Sequence, residues 1–410
     1  MNEQIKKRIS AINIGIIPDG YKKTKVGIVP AEWEIKTLAE LCEISAGGDI
    51  EKEHCQTTPN EKFKFPVYSN ALTNKGLYGY SDIFKISEKT VTVTGRGEIG
   101  YAIARNEKYY PIVRLLVLKP KNENINTVFL AHQINESKIY IESTGVPQLT
   151  APQLSLLKIF CPSLKEQIII AEILSTQDKL IELYERKIEQ LKTLKKGYLQ
   201  KMFPKKGCKY PELRFKGFTD DWEQRKLGEV VGIYDGVHKT PNYQDVGVMF
   251  LSVENITTLQ STKFISEEDF RRDYKVFPQK NDILMTRIGD VGTTNVVTDN
   301  DLKAYYVSLA LLKYKNTNPY FLSNAIQSDF VQKGLANRTL KTAIPMKINK
   351  DEIGKVNIML PISAKEQTLI GTCFKNLDNL ITLHQHKLDK EKQKKKALMQ
   401  LLLTGKVRVI

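Results

Sequence analysis

The sequence predicts an α+β protein made of two tandem α/β domains, each followed by a long helix, with the two helices forming an antiparallel coiled coil. Two observations support this fold class. A long heptad pattern lies near the middle of the chain and again near its end, and the strand-rich sequence before each pattern also recurs. A repeat of this size predicts approximate two-fold symmetry within one chain.

The first long helix is predicted over residues 162–203. Its apolar residues recur at steps of three and four, the spacing of a coiled-coil seam. No Pro or Gly interrupts the run from Ser163 to Gly197, and at ~1.5 Å per residue the helix would be roughly 57 Å long. Its predicted seam residues are Ile170, Leu174, Ile181, Tyr184, Ile188, Leu191, Tyr198 and Met202.

The second long helix, predicted over 361–404, repeats the first. Lys-Glu-Gln at 165–167 returns at 365–367. Its seam is polar at His384, Glu391 and Lys395, so we expect pairing there to depend on the facing helix. The apolar seam residues predicted for it are Ile370, Phe374, Leu377, Ile381, Leu388, Leu398 and Leu402.

The domain boundaries follow from this repeat. Each globular part opens on one of the two tryptophans, Trp33 or Trp222, and a Pro-, Gly- and Lys-rich linker joins the halves. The predicted segments are an N-terminal arm (1–26), domain 1 (27–161), helix 1 (162–203), the linker (204–216), domain 2 (217–360), helix 2 (361–404) and a C-terminal tail (405–410).

Within each globular part, short apolar strands alternate with polar loops. One strand in each copy ends in an Arg- and Gly-containing turn, where glycine permits positive φ. The predicted pairs of equivalent segments are strands 65–70 and 249–255, strand–turns 91–100 and 283–292, helices 127–137 and 319–328, irregular segments 143–152 and 337–345, and final strands 157–161 and 356–360.

Composition narrows the functional classes. The formal net charge of +16 favours a polyanionic partner, most often nucleic acid, although a lysine-rich composition alone could also produce it. None of the five cysteines is at CxxC spacing, which indicates reduced thiols in a cytoplasmic protein rather than zinc ligands or disulfides. No apolar stretch reaches the length of a membrane span.

Catalytic motifs are missing from the sequence. There is no GxxxxGK phosphate loop. Asn318 and Pro319 resemble the start of an amino-methyltransferase box, but an N-cap followed by Pro at the first helical position explains them better. The Glu34–Lys36 spacing of a nuclease site has no convincing upstream Asp. We therefore predict no catalytic residue, no metal site and no cofactor in this chain.

The basic and amide side chains near the strand ends are the better functional candidates. Such side chains read base edges or contact phosphates in protein–DNA complexes, and they recur in both halves. The predicted DNA-binding residues are Ser69, Asn70, Lys75, Arg96, Arg105, Gln148, His238, Lys239, Asn255, Arg271, Arg287, Arg338, Lys341 and Lys347.

The chain resembles the specificity subunits of type I restriction–modification enzymes. The resemblance covers almost the whole chain. It rests on the openings at Trp33 and Trp222, on the segment 211–230, and on the Lys-Glu-Gln-headed helices at 165–203 and 365–403. It implies two target recognition domains, each reading one half of a split DNA sequence, and a coiled coil that sets the unread spacer between them.

The same resemblance implies partners. Two modification subunits would methylate adenine with S-adenosylmethionine, and restriction subunits could join them for translocation and cleavage with ATP and Mg²⁺. Two other hypotheses stay open at this point. One is a coiled-coil interaction scaffold that does not read DNA sequence, and the other is a stand-alone DNA nuclease or methyltransferase.

Overall fold

The computed structural model describes residues 3–137, 139 and 147–410. The chain forms two compact units, the first comprising 1–184 with 387–410 and the second comprising 185–386. Residues 1–2 of the predicted arm and 143–146 of the first irregular segment lie outside the described residues.

The first unit contains a helical arm, a strand-rich domain and the start of a long helix. Its helices are α1 Glu3–Asn13, α2 Leu38–Leu41, α3 Thr127–Glu136, α4 Ala151–Ser155 and the beginning of α5 Leu164–Lys201. Its strands are β1 Tyr21–Thr24, β2 Gly27–Pro30, β3 Glu34–Thr37, β4 Cys42–Ala46, β5 Cys55–Gln56, β6 Phe65–Tyr68, β7 Leu77–Ser81, β8 Thr90–Val93, β9 Ala102–Arg105, β10 Tyr110–Pro111, β11 Leu116–Pro120 and β12 Lys158–Cys161.

Two four-stranded sheets build this domain. One is antiparallel with the order β4-β11-β8-β9, and the other has the order β10-β6-β7-β5 with β10 parallel to β6. The buried β8 lies inside the first sheet, where Val91 and Leu118 share a core with Leu130 and Ile134 of α3. This packing fixes the strand ends from which the candidate loops emerge.

The second unit repeats this arrangement. Its helices are α6 Leu227–Val230, α7 Glu267–Asp273, α8 Pro319–Ile326, α9 Asp329–Arg338, α10 Lys350–Gly354 and the first part of α11 Ala364–Leu402. Its strands are β13 Glu223–Lys226, β14 Val231–Asp235, β15 Val248–Leu251, β16 Phe264–Ile265, β17 Ile283–Thr286, β18 Thr294–Val296, β19 Lys303–Tyr305, β20 Leu309–Tyr314 and β21 Asn357–Leu360.

The main sheets of the two units share one topology, although the second sheet has four strands in the first unit and three in the second. The sheet β14-β20-β17-β18 matches β4-β11-β8-β9, and β15 pairs in parallel with β19 as β6 pairs with β10. The antiparallel pair β13–β21 likewise matches β3–β12. The internal repeat predicted from sequence is therefore a repeat of topology.

Helix α9 was missed by the sequence analysis. Its apolar residues are few, and only Val331 and Leu335 are buried. With so narrow an apolar face, its periodicity is weak in the sequence.

The N-cap predicted at Asn318 is confirmed, and Asn126 caps the equivalent helix of the first unit. Asn318 Oδ1 accepts hydrogen bonds from the backbone N–H groups of Tyr320 and Phe321, and Asn126 Oδ1 accepts one from Phe129. These bonds satisfy amides that have no partner inside the helix. The Asn-Pro pair at 318–319 is thus a helix start.

The long helices run antiparallel in each unit. In the first unit, Lys395 Nζ lies 2.5 Å from Asp178 Oδ1, and Gln177 Nε2 donates to Glu391 Oε2 at 2.6 Å. In the second unit, Lys195 Nζ lies 2.7 Å from Asp378 Oδ1. Glu391 and Lys395, two of the three polar seam positions, therefore meet polar partners on the facing helix, as expected.

Most predicted seam side chains are buried. The buried ones are Ile170, Leu174, Ile181, Ile188, Leu191, Met202, Ile370, Phe374, Leu377, Leu388 and Leu402, whereas Tyr184, Tyr198, Ile381 and Leu398 are half-buried. The start of each helix also packs into its domain, since Phe374 shares a core with Phe321 and Trp222. The seam thus anchors the domains as well as pairing the helices.

A buried glutamate at the start of each long helix accepts hydrogen bonds from an arginine in a distant segment. Glu166 accepts bonds from Trp33 Nε1 at 3.0 Å and from Arg408 Nε at 2.7 Å. In the second unit, Arg214 Nε donates to Glu366 Oε1 at 2.7 Å. The hydrogen-bonded carboxylates raise the pKa of both arginines. The C-terminal tail thus supplies the arginine in the first unit, and the linker supplies it in the second.

Candidate nucleic-acid interface

The predicted DNA-binding residues separate into internal and solvent-facing side chains. Arg105 and Arg287 are buried, whereas Ser69, Asn70, Gln148 and Asn255 are half-buried. The exposed members are Lys75, Arg96, His238, Lys239, Arg271, Arg338, Lys341 and Lys347. The exposed group is the most accessible to a large ligand.

Arg105 is a buried side chain that links β8 to the turn at Lys75 in the first unit. Its residue is 4% exposed, and its guanidinium lies 3.6 Å from the ring centroid of Tyr68. Nε donates to Thr92 Oγ1 at 3.1 Å, and Nη2 donates to the carbonyl of Lys75 at 2.6 Å. Burial lowers the pKa of Arg105 below its ordinary value. The prediction of direct DNA contact does not fit this environment, because the side chain is already used to hold the turn at Lys75.

Asn70 joins three loops of the first unit. Its Nδ2 donates to the carbonyl of Val113 at 2.6 Å, and its Oδ1 accepts from the N–H of Gly95 at 2.7 Å. Asn255 has a similar local role, since its Nδ2 donates to the carbonyl of Gln260 at 2.8 Å. These amides shape the loops from which the exposed side chains emerge.

Arg96 and Lys75 are the exposed cations of the first unit. Arg96 Nη2 donates to Gln148 Oε1 at 3.2 Å, which brings two predicted residues together across separate loops. Lys75 Nζ lies 2.6 Å from Glu182 Oε1 on α5. Exposed pairs of this kind contribute only about 0–1 kcal/mol. Both cations could therefore exchange these partners for phosphate or base atoms at small cost.

Arg287 is a buried side chain that links two segments of the second unit. Its residue is 6% exposed, its Nη1 forms an ion pair with Asp235, and its Nε donates to the carbonyl of Ile348 at 3.1 Å. The expected base-reading role therefore does not fit its position. Arg287 instead fastens the end of β14 to the strand-like segment at Ile348. Asp235 was not among the predicted site residues, because no distinguishing spacing marks it in the sequence.

The structure shows which residues of the two Arg- and Gly-containing turns are equivalent. Leu149 N–H donates to the carbonyl of Gly95 at 2.9 Å, and Ile348 N–H donates to the carbonyl of Arg287 at 3.0 Å. Gly95 therefore occupies the position of Arg287, and Arg96 does not. A Cβ at Gly95 would lie 2.9 Å from the carbonyl oxygen of Leu149, so this close approach requires glycine.

The remaining cations of the second unit lie on exposed loops and helix ends. Arg271 pairs with Glu267 at 2.7 Å, and Arg338 pairs with Glu352 at 2.8 Å. By contrast, the side chains of His238, Lys239, Lys341 and Lys347 form no hydrogen bond or ion pair with any residue that the structure describes. These four side chains have the free donors that a polyanion would need.

Two other kinds of feature are absent from the described residues. Among residues 3–137, 139 and 147–410, no group of three or more His, Cys, Asp or Glu side chains is arranged to hold a metal ion. No helix in the described part of the chain is long and apolar enough to cross a membrane.

Comparison with known proteins identifies the family. The profile of the type I restriction modification DNA specificity domain matches residues 30–193 and 219–392. These two matches cover the repeated units and most of the chain. The protein therefore belongs to the type I restriction–modification DNA specificity family.

Individual relatives agree along nearly the full length. The type I restriction enzyme MjaVIII specificity subunit of Methanocaldococcus jannaschii is 26% identical over 93% of this chain and 94% of its own length. The MjaIX specificity subunit of the same organism is 23% identical over 95% of this chain and 96% of its own.

Solved structures share the fold. The type I restriction–modification S subunit of M. genitalium superposes with a TM-score of 0.67 at 17% identity, covering 90% of this chain and 96% of that one. A chain from a study of type I complex assembly and conformational transition gives 0.50 at 16% identity, covering 92% and 99%. At these identities the likeness establishes the fold of two tandem domains with long helices.

Proposed function

We propose that this chain reads a split DNA target, with one recognition domain for each half-site, and that its paired helices set the length of the unread spacer. The observation that carries the proposal is the repeat itself. One loop-bearing domain occurs twice, and each copy presents exposed cations on loops that are tied to the sheet by a buried arginine. Two similar recognition domains in one chain match the two half-sites of one DNA target.

The exposed cations supply the general affinity for DNA. Lysine and arginine side chains neutralise phosphates and release counterions, so binding weakens steeply as salt rises. Within this proposal, Arg96, His238 and Lys239 contact base edges or adjacent phosphates, and their exposure supports this assignment. The net charge of +16 is consistent with such a partner.

The chemistry is assigned to partner subunits. We propose that two modification subunits bind this chain and methylate adenine with S-adenosylmethionine, and that restriction subunits using ATP and Mg²⁺ can join them. This chain then acts in the cytoplasm as a non-catalytic specificity subunit. Its relatives are named as specificity subunits of type I restriction enzymes, which supports this division of labour.

The first experiment is single-molecule sequencing of genomic DNA from host cells with and without this gene, scoring N6-methyladenine. The proposal predicts a two-part motif with a fixed gap that disappears on deletion and returns on complementation. A complementing gene carrying Lys239→Ala and Arg96→Ala should restore less methylation than the unchanged gene does.

A second measurement separates the alternatives. The full chain should co-purify with a methyltransferase subunit and bind the motif-containing duplex more tightly than a scrambled duplex. Methylation by the purified chain alone would contradict the non-catalytic assignment. Co-purification without any sequence preference would favour the interaction scaffold.

A further inference from the structure

One loop of the second unit combines a fixed base with an exposed apolar tip. We call residues 340–347 the 340–347 loop. Leu340 N–H donates to the carbonyl of Lys347 at 2.8 Å, which closes the loop, and Gly289 N–H donates to the carbonyl of Met346 at 2.7 Å. Ile348, directly after the loop, is held from both sides by Arg287. The loop is therefore attached to the end of β17 at defined points.

The tip of the 340–347 loop exposes apolar surface. Ile344 is 100% exposed, and Leu340 and Met346 are each 45% exposed. Scattered apolar residues are normal on a protein surface, whereas these three lie within seven positions on one anchored loop, and we call them the apolar patch. The amphipathic pattern of a strand or helix does not account for them, because the segment lies between α9 and α10.

The charge around the patch indicates what covers it. Lys341 and Lys347 are exposed and form no side-chain bond with the described residues, and no acidic residue occurs from Thr339 to Lys350. An apolar tip between free lysines suits a ligand that offers both apolar atoms and negative charge. DNA does so in its grooves, where the thymine methyl group lies between phosphate backbones.

A buried contact links this loop to a second cationic loop. Arg287 joins Ile348 to Asp235, and His238 and Lys239 follow Asp235 directly after β14. Arg287 thus fixes the attachment points of both the 340–347 loop and the loop after β14. The first half of the sequence carries a related apolar-Pro pair at Val146 and Pro147, although Val146 lies outside the described residues.

The geometry points to Ile344 as a specificity-determining residue, whose side chain packs against a thymine methyl group in the half-site read by the second unit. Lys341 and Lys347 contact the flanking phosphates. This inference rests on the proposed function and adds the contact by which one domain chooses a base pair. A branched, stiff side chain is suited to such a contact because it loses little rotamer freedom on binding.

The test is a pairwise exchange on both sides of the contact. The complex of the full chain with its modification subunits is assayed for binding to its target duplex, with each thymine of the second half-site replaced in turn by uracil, which lacks the methyl group. The protein variants are Ile344→Ala and, as a matched control, Ile362→Ala, which removes another exposed apolar side chain (62% exposed) from the same unit.

We expect one thymine-to-uracil change to weaken binding by the unchanged complex on the order of threefold, since about one buried methyl group is lost. Ile344→Ala should weaken binding to the thymine duplex at least as much and should be insensitive to that same change. Ile362→Ala should behave like the unchanged protein. Thermal unfolding of both variants should be nearly unaltered, because both side chains are largely exposed.

Three results would overturn the inference while leaving the proposed function intact. One is an Ile344→Ala complex with unchanged affinity and unchanged response to every uracil. Another is a second half-site without any thymine. The third is selective loss of the modification subunit from the variant complex, which would make the patch a protein-docking surface. Absence of sequence-specific binding by the unchanged complex would instead refute the proposed function itself.

Discussion

At the scale of single residues, burial separates the arginines that build the recognition loops from those that face solvent. Arg105 and Arg287 are both engaged with backbone carbonyls inside their domains, whereas the exposed Arg96 donates to the half-buried loop residue Gln148. Residue type alone therefore cannot assign a role, because the same guanidinium serves either purpose.

Arg287→Ala should destabilise the second unit. The change leaves Asp235 without its main ion-pair partner and removes the bond to the carbonyl of Ile348, so we expect a loss of about 2–4 kcal/mol in the free energy of unfolding. Chemical denaturation checks this, with Arg271→Ala as the exposed control. A loss below about 0.5 kcal/mol, the usual limit for a surface change, would contradict the structural role.

Arg96→Ala should leave stability unchanged and affect DNA binding instead. If Arg96 reads a base, the cost should be about 1–3 kcal/mol at one position of the first half-site. Binding to a panel of single-substitution duplexes measures this cost. Equal weakening on every sequence would show that Arg96 contacts phosphate and not a base.

Much of the residue-level picture could not come from the sequence. The repeat alignment placed Arg96 and Arg287 in equivalent turns, but which of two neighbouring residues points inward depends on the register of Gly95 and Arg287 against the following segments. Asp235 and Ile348 lie 52 and 61 positions from Arg287 along the chain. No local sequence pattern predicts such long-range partners, so the structure was needed to identify them.

At the scale of elements, the heptad pattern and the caps were predictable because they are local. The helices over 164–201 and 364–402 begin and end within a few residues of the prediction, since helical periodicity is visible in the sequence itself. The ion pairs of Glu166 and Glu366 at the helix starts were not predicted, although the repeated Lys-Glu-Gln motif contains both residues. Their partners come from the linker and from the tail.

Arg408→Ala should destabilise the first unit strongly. Glu166 is fully buried, and the substitution would leave its carboxylate with Trp33 as its remaining partner. Uncompensated buried charge costs about 3–5 kcal/mol. Denaturation monitored by tryptophan fluorescence measures the loss, and Lys406→Ala, which removes an exposed bond to Asn13 in the same tail, should change little. Equal stability of the two variants would exclude this role.

His132 of α3 should make the first unit sensitive to acid. Burial and the nearby Lys395 lower its pKa from 6.5 to about 4, against the smaller opposing effect of Asp178. A depressed folded-state pKa contributes stability above about pH 6.5 that is lost as the pH falls towards about 4. His132→Gln should therefore flatten the dependence of unfolding free energy on pH in this range. Parallel curves for the two proteins would contradict the assignment.

At the scale of the whole molecule, the opposed helices predict control of target spacing. Seven residues inserted after Tyr184 and seven after His386 would preserve the Asp178–Lys395 and Lys195–Asp378 pairs. The insertion adds ~10 Å of helix, or about three base pairs. Methylome sequencing should show the same half-sites with a longer gap. An insertion in α5 alone should abolish methylation, and an unchanged gap after the double insertion would refute the idea.

The division of the first unit between two distant stretches of chain has a consequence for its synthesis. Its segment 1–184 leaves the ribosome well before 387–410, which supplies Arg408 to Glu166 and Lys395 to Asp178. At roughly 5–20 residues per second the wait lasts on the order of 10–40 s. During that interval the nascent domain exposes the apolar faces that Leu402 and Leu403 later cover. The earliest part of the protein to be translated is thus the last to mature, and chaperones have that time in which to bind it.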